Sequence, residues 1–277
     1  MLSALTDDVK KRYQRLKNIL KSYNKVIVAY SGGVDSVFLL KVAAECLGSH
    51  RVTACIGVSE SLARSEYDQA MKIAEQIGTE VKVVYPKEMD NPDYQANPAD
   101  RCFFCKSELY QLLNEAARMD ECDAVLCGTN ADDPGDFRPG LQAARKFNVV
   151  SPLEEAGLTK ADIRSLSKEL GLPTWNKPAQ PCLASRLPYG FKITPEKLKQ
   201  IEEGETYLRS LGFKELRVRH HDKLVRIEVP AARIPELIEE PRRNEVVAFF
   251  KKLGFTFVSV DLQGFRSGSA NETLNLL

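Results

Sequence analysis

The chain has 277 residues, of which 43% are hydrophobic and 28% charged, and its formal net charge is +1. This length allows one large domain or two modest ones, with enough apolar residues for a substantial core. The balanced charge gives no overall signature of a nucleic-acid-binding protein. No apolar run is long enough for a membrane span, the N-terminus has an amphipathic helical pattern without a signal-peptide core, and the cysteines number seven. We therefore expect a cytoplasmic protein without a disulfide framework.

Short β-branched apolar runs alternate with helical segments in the first part of the chain. The runs predict strands at residues 26–30, 52–58, 81–85, 124–127 and 148–151. Continuous apolar strands alternating with helices indicate a buried parallel sheet covered on both faces. Ligands bind such sheets at the carboxyl ends of the strands. The polar stretches SGGVDS, GVSESLARSE and GTNADD all follow predicted strands, which predicts a binding site at that edge.

A second, smaller domain is predicted after an irregular stretch, TWNKPAQPCLASRLPYGFKI, which is rich in proline. A helix capped by Thr194 follows, with Pro195 at its first position. The segments ELRVRHH and LVRIEVP then alternate like strands of a half-exposed antiparallel sheet. The fold class is therefore an α/β parallel-sheet domain, residues 1–188, followed by a small α+β domain, residues 189–277.

The loop Ser31–Ser36, SGGVDS, connects the first predicted strand to a helix. It lacks the lysine of a Walker loop, yet Gly32 and Gly33 allow close backbone approach, and the helix start provides unpaired amides for a phosphate. Asp35 is unusual in an anion site unless it caps the helix or binds a metal. Mg²⁺ would bridge carboxylate and phosphate oxygens. The alternative, a tight capped turn without a ligand, is disfavoured by the whole hexapeptide in this context.

The cysteines fall into two groups. Four lie on apolar segments or have no charged partner, and are assigned to the core or to no role: Cys46, Cys55, Cys122 and Cys127. Cys102 and Cys105 begin a predicted helix, where the dipole favours thiolate, and Cys182 lies in a proline-bounded loop. These three allow a redox pair, a zinc site completed by His220 or His221, or a three-cysteine iron–sulfur cluster. Without a ligand role, the two histidines are expected to face solvent or end their strand.

Arginines are the candidate ligands for an anionic substrate. Arg217 and Arg219 alternate on one predicted strand, so both point to the same face. Arg186 and Ser185 closely follow Cys182 and form a second candidate set. A planar guanidinium suits phosphate or carboxylate, although a solvated strand face is an alternative interpretation. Glu205 lies in an acidic helical turn that we expect to be solvated.

The SGGVDS hexapeptide resembles the PP-loop of the ATP pyrophosphatase superfamily, whose fold is adenine nucleotide alpha hydrolase-like. The superfamily includes GMP and NAD synthetases and tRNA thiolation enzymes, and its members cleave ATP between the α and β phosphates. The GVS and GTN stretches are similar to superfamily positions that line the nucleotide. The resemblance implies ATP-binding roles for Ser31, Gly32, Gly33, Asp35, Ser36, Val58, Gly128 and Asn130.

Five motifs together resemble one family over nearly the whole chain: SGGVDS, RCFFCK, PCLASR, LRVRHH and DLQGFRSGSAN. This is the family of ATP-dependent sulfur transferases that make the organic part of the nickel-pincer nucleotide cofactor of lactate racemase. The resemblance implies that each carboxylate of a pyridinium dicarboxylate mononucleotide is adenylated and then converted to a thiocarboxylate. Members with three cysteines, here Cys102, Cys105 and Cys182, are expected to hold a [4Fe–4S] cluster that carries an extra sulfide. Members with only the PCLxSR cysteine sacrifice its sulfur and keep dehydroalanine, and the residues leave both routes open.

The same resemblance implies the partners of the protein. It places the substrate phosphate at Arg217 and Arg219, requires sulfide or another sulfur donor, and implies a homo-oligomer assembled through the smaller domain. No stable nucleic-acid or membrane partner is expected. Two rivals remain: a PP-loop tRNA thiolase, which would need a basic surface, and a non-enzymatic nucleotide-binding module, which would have no use for the three cysteines.

Overall fold

The computed structural model describes residues 5–133 and 139–266 together with Ser269 and Glu272. Positions 267, 268, 270 and 271 of the C-terminal motif lie outside the described residues. The chain divides into two compact units: the first comprises the chain up to Glu88 and Asp100–Gln180, and the second comprises Met89–Ala99 and the chain from Pro181 onward. The boundary between residues 188 and 189 stays a prediction about folding domains.

Helices and strands alternate along most of the described chain. In order they are α1 (Asp7–Leu20), β1 (Val26–Ala29), α2 (Val34–Leu47), β2 (Val52–Gly57), α3 (Arg64–Ile77), β3 (Glu80–Val84), α4 (Pro92–Gln95), α5 (Arg101–Met119), β4 (Ala124–Leu126), α6 (Pro139–Lys146), α7 (Pro152–Glu155), α8 (Lys160–Glu169), α9 (Pro195–Ser210), β5 (Arg217–His221), β6 (Leu224–Glu228), α10 (Ile234–Ile238), α11 (Arg242–Lys252) and β7 (Phe257–Val260). In the part of the chain that the structure describes, no helix is both long and apolar enough to cross a membrane.

The first unit is built on a parallel sheet in the order β3-β2-β1-β4. Side chains alternate across it, so Val26 and Val28 pack into the core formed with α1, α2 and α8, whereas Ile27 packs into the core formed with α5. Helices therefore cover both faces, and the predicted α/β class with a buried parallel sheet is confirmed.

The predicted strand at residues 148–151 is wrong. In the structure this segment contributes a single parallel bridge between Val150 and Leu126 rather than a strand. Asn148 has a left-handed φ of 53°, and Pro152 begins α7 directly afterwards, so the chain has no room for an extended run. Only Val149 of this segment is buried, so the apolar pattern overestimated both the burial and the length of the run.

Local capping sets the start of two helices that the sequence indicates. Thr159 and Asp162 form a reciprocal capping box at α8, and the Thr194 hydroxyl accepts from the Lys197 amide at α9, where Pro195 is the first residue. The start of α9 confirms the predicted cap at Thr194.

The second unit contains a three-stranded sheet in the order β5-β6-β7, in which β5 pairs antiparallel and β7 parallel to β6. The segment Met89–Ala99 belongs here because Ile193 N donates to Gln95 O at 2.8 Å and Gly190 N to Asn97 O at 2.9 Å. The first four residues of β5 are buried, since α9 and the turn at residues 183–186 pack on this strand. The prediction of a half-exposed sheet is therefore wrong for β5.

Candidate active site

The loop after β1 curls around the start of α2. Tyr30 N still donates to Cys55 O at 2.9 Å, after which the chain leaves the sheet. Ser31 N donates to the Ser36 hydroxyl at 3.2 Å, and the Ser31 and Ser36 hydroxyl oxygens lie 3.1 Å apart. The loop is thus held by its own hydroxyl groups at the positive end of a helix, which is a suitable arrangement for a phosphate group.

Two glycines allow close packing around this loop. Gly32 has a φ of +68°, and a Cβ placed on it would lie 2.6 Å from the Cβ of Ala70 on α3. A Cβ on Gly128, which follows β4, would lie 3.0 Å from Ser36 N. The GTN segment therefore lies directly against the start of α2, and Val58 follows the neighbouring strand β2. All the predicted nucleotide-binding residues stand at the carboxyl edge of β1, β2 and β4.

Asp35 and Asn130 meet at this edge, where two lysines that sequence reasoning missed also lie. The Asn130 amide donates to Asp35 Oδ1 at 3.5 Å, and the Lys160 ammonium pairs with Asp35 Oδ2. Lys177 donates to Gly32 O at 3.3 Å and to Glu66 Oε2 at 2.7 Å. The loop lacks a lysine in its own sequence, but the fold brings two from far along the chain. The only sequence signal for Lys160 is its position directly after the Thr159 helix cap.

The cysteine thiols differ in their exposure to solvent. None of the seven cysteines, all of which lie in the described residues, forms a disulfide; Cys102 and Cys182 are exposed and Cys105 is half-buried. Cys102 and Cys105 lie three residues apart in the first turn of α5, in the first unit, so they share one helix face, whereas Cys182 belongs to the second unit. By contrast, burial raises the pKa of Cys55 to about 12, which makes that thiol inert, as its assignment to the core predicts.

The second unit buries two arginine–carboxylate pairs. Arg186 forms a bidentate pair with Glu205, with Nε–Oε1 at 2.8 Å and Nη2–Oε2 at 3.1 Å. Arg219 forms a second with Glu228, at 2.9 and 3.0 Å, and its Nη1 donates to Ser185 O at 2.9 Å. Glu205 and Glu228 are both 0% exposed, so each carboxylate fixes its arginine in one geometry.

Arg217 joins the same region of the second unit. It is 6% exposed, its Nη1 donates to Leu216 O at 2.7 Å, and its guanidinium lies 5.0 Å from the ring centre of Phe265. Burial, together with the charge of Arg186, lowers the pKa of Arg217 to about 10. A concentration of buried positive charge of this kind favours an anionic ligand. The alternative of a solvated strand face for Arg217 and Arg219 is therefore wrong.

Two further expectations are wrong in the second unit. Glu205 is not on a solvated face: it is fully buried, binds Arg186 and Arg209, and accepts from Val218 N at 3.3 Å. Arg209, four residues later on the same helix, was a local signal for an ion pair, but the contact with Arg186 could not be seen from the sequence. His220 does not face solvent either, being 2% exposed, whereas His221 ends β5 as expected.

The bonding of His220 also excludes it as a zinc ligand in this fold. Asp222 N donates to its Nδ1 at 3.1 Å, so Nε2 carries the proton and donates to Gln200 Oε1 at 2.9 Å. Both ring nitrogens are therefore engaged. Within each unit, the described residues contain no group of three His, Cys, Asp or Glu side chains arranged to hold a metal ion.

Replacing His220 should change the acid stability of the protein. Burial, with the charge of Lys197, lowers the pKa of His220 from 6.5 to about 4. The unfolded chain therefore binds the extra proton first, and stability present above pH 6.5 is lost as the pH falls toward 4, by on the order of 2 kcal/mol. We expect His220→Gln to reduce the pH dependence of the free energy of unfolding, measured by urea unfolding at pH values from 4.5 to 7.5. The exposed His50→Gln is the control, and an equally reduced pH dependence for it would contradict the assignment.

The loop geometry at the carboxyl edge of a parallel sheet defines an ATP-binding protein of the PP-loop class, and a family model described as a PP-loop domain matches residues 5–136. Over 256 residues the chain is 41% identical to pyridinium-3,5-bisthiocarboxylic acid mononucleotide synthase of Lactiplantibacillus plantarum, covering 92% of each chain. The chain belongs to the family of that synthase, and the predicted enzyme class, an ATP-dependent sulfurtransferase, is confirmed with it.

Two other relatives show how much of the chain the similarity covers. An uncharacterized protein of Synechocystis sp. is 43% identical over 263 residues, covering 95% of this chain and 98% of the relative. A subunit of the glutamine-hydrolyzing GMP synthase of Thermoplasma acidophilum is 30% identical over 195 residues, covering 64% of this chain and 61% of the relative. The similarity thus extends over nearly the whole chain for the first and is partial for the GMP synthase.

Proposed function

We propose that the protein inserts sulfur into pyridinium-3,5-biscarboxylic acid mononucleotide for a nickel-pincer nucleotide cofactor of the lactate racemase type. ATP adenylates a ring carboxylate and pyrophosphate leaves; reduced sulfur then displaces AMP and leaves a thiocarboxylate. The observation that carries the proposal is the 41% identity over 92% of both chains to the named synthase. The intact PP-loop and the buried arginine cluster support it, because the reaction needs both ATP and an anionic substrate.

Activation is necessary because a carboxylate is a poor acylating agent at neutral pH, and AMP is a good leaving group. In this proposal the amides at the start of α2 and the hydroxyls of Ser31 and Ser36 bind the phosphates, while Lys160 and Lys177 provide positive charge beside the loop. Val58, Gly128 and Asn130 line the nucleotide. The Asp35 carboxylate fits Mg²⁺, which prefers oxygen ligands, and Mg²⁺ would neutralise charge on the departing pyrophosphate.

The substrate carries two carboxylates and a phosphate, so it needs guanidinium or hydroxyl partners. We assign the phosphate to Arg217 and Arg219 on β5, with Ser185 in the turn before it; Arg186 of the same turn, the other sequence candidate, already binds protein acceptors with all three of its nitrogens. The burial of Arg217, Arg219 and Ser185 gives the low dielectric in which charge-assisted hydrogen bonds are strong. Arg219 already binds the buried Glu228 carboxylate, which orients its guanidinium before a substrate arrives.

The sulfur carrier is proposed at Cys102, Cys105 and Cys182. Cysteine thiols that form no disulfide suit an iron–sulfur cluster, and Cys102 and Cys182 are exposed to solvent. These three cysteines would hold a [4Fe–4S] cluster, which would supply an iron without a protein ligand for an added sulfide. The second candidate is sacrificial donation from Cys182 itself, which is favoured by the exposure of that thiol. The sulfur donor, a homo-oligomer and a cytoplasmic location stay predictions.

The first test is purification without oxygen, a visible spectrum and a pyrophosphate assay with either the pyridinium dicarboxylate or tRNA as acceptor. We expect broad iron–sulfur absorbance and pyrophosphate release that depends on the pyridinium compound. A colourless protein whose Cys182 loses hydrogen sulfide after one turnover would identify the sacrificial route. Pyrophosphate release that depends on tRNA would identify a tRNA thiolase. If neither acceptor causes pyrophosphate release, the proposed function is contradicted.

A further inference from the structure

Arg186 binds the start of the turn that carries Cys182, whereas Arg219 binds its far end at Ser185 O. Arg186 Nη1 donates to the Cys182 carbonyl at 3.0 Å and to the Ser185 hydroxyl at 3.1 Å, and it also contacts the Pro181 carbonyl. The other side of the same guanidinium is bound by Glu205, and the two side chains are 3% and 1% exposed. All three nitrogens of Arg186 therefore hold protein acceptors.

The Cys182 carbonyl has two donors. Besides Arg186, the Ser185 amide donates to it at 3.0 Å and closes the short turn Leu183–Arg186. The thiol of the same residue is exposed. The backbone of Cys182 is thus fixed from the buried side, while its sulfur stays accessible to a reaction partner.

The Glu205 carboxylate holds the Arg186 guanidinium in place. Burial favours a neutral Glu205, but the charges of Arg186, Arg209 and Arg217 outweigh burial and hold its pKa below the usual range. The carboxylate therefore stays ionised. Arg209 binds the same carboxylate at 2.9 Å, is about one-third exposed, and makes no hydrogen bond to residues 181–185 within the described part of the chain. It is consequently a matched control for the effect of Arg186.

We propose that Arg186 is a positioning residue for Cys182, held in place by Glu205, rather than a ligand of the substrate. The proposal rests on the proposed function for the role of Cys182 as a sulfur carrier, and it replaces a substrate-binding role for Arg186. The planar guanidinium of arginine is required, because one of its edges must bind the Glu205 carboxylate while the other binds the backbone carbonyls of Pro181 and Cys182. A lysine ammonium keeps the charge but cannot do both.

The test compares Arg186→Lys and Glu205→Gln with the control Arg209→Lys. Three quantities are measured: pyrophosphate release with the pyridinium dicarboxylate, kcat and KM for thiocarboxylate formation, and hydrogen exchange of the Ser185 amide. For Arg186→Lys and Glu205→Gln we expect unchanged pyrophosphate release and KM, a kcat lower by roughly 10- to 100-fold, and Ser185 exchange at least about tenfold faster. Arg209→Lys should change none of these by more than about threefold.

Two outcomes would overturn the positioning role. The first is a raised KM with reduced pyrophosphate release in Arg186→Lys, which would make Arg186 a substrate ligand. The second is unchanged Ser185 exchange in both variants, and the isosteric Glu205→Gln keeps this comparison possible if Arg186→Lys does not fold. If the proposed function is wrong, the wild-type protein itself will release no pyrophosphate with the pyridinium compound. Hydrogen exchange of the Ser185 amide would still show whether Arg186 holds the turn.

Discussion

Replacing Cys182 by serine is expected to abolish thiocarboxylate formation while ATP-dependent pyrophosphate release continues. Serine is nearly isosteric, and the Cys182 side chain is exposed, so the fold should tolerate the change. The oxygen of serine neither binds iron as a thiolate does nor can become the sulfur of the product. We expect the rate of thiocarboxylate formation to fall at least a thousandfold, equivalent to about 4 kcal/mol in the activation barrier. Product is measured by mass spectrometry and pyrophosphate by a coupled assay.

Matched substitutions make this prediction specific. Cys122→Ser, at a half-buried position after α5, should leave both steps unchanged. The double variant Cys102→Ser with Cys105→Ser separates the two sulfur routes: with a cluster it loses activity as Cys182→Ser does, and with sacrificial donation it keeps one turnover. Full thiocarboxylate formation by Cys182→Ser would show that the sulfur does not depend on this thiol at all.

The nucleotide site is the part that the sequence predicts best, because its information is local. The residues Ser31–Ser36 contain the glycines, the hydroxyls and the helix start in one short stretch, and their place after an apolar strand fixes the sheet edge. Helix caps such as Thr159 and Thr194 are equally local. The misassigned strand at residues 148–151 shows the limit of apolar runs, since the backbone at Asn148 and Pro152 ended it.

The parts that the sequence did not predict are contacts between distant residues. Lys160 and Asp35 are 125 residues apart, and Lys177 and Gly32 are 145 apart. A lysine on a helix or loop has no feature that reveals such a partner. Glu205 was misjudged in the opposite direction: its acidic neighbours suggested solvent, whereas its carboxylate is bound by Arg186 from another element as well as by Arg209 of its own helix. Tertiary charge pairing outweighed the local pattern at these positions.

Substitution of Gly32 by alanine should destabilise the first unit and weaken ATP binding. The backbone at Gly32 has a φ of +68°, which costs a residue with a Cβ about 1–2 kcal/mol. The new methyl group would also lie 2.6 Å from Ala70 Cβ and 3.1 Å from Ala70 Cα, so α3 would have to move. With overpacking of this kind we expect a total loss of about 2–4 kcal/mol in the free energy of unfolding. ATP affinity, measured by calorimetry, should fall at least about tenfold, a loss of about 1.4 kcal/mol in binding.

Gly33→Ala is the control, because the adjacent glycine has an ordinary φ of −81° and its Cβ would meet only Ser31 Oγ, at 3.4 Å. We expect it to change the urea unfolding curve little. Adding Ala70→Gly to Gly32→Ala removes the closer of the two clashing atoms, Ala70 Cβ, but leaves Ala70 Cα and the left-handed backbone, so stability should recover in part. A double-mutant cycle then separates the Cβ–Cβ contact from the other contributions. Equal stability of Gly32→Ala and Gly33→Ala would mean that the loop does not pack against α3 as the structure shows.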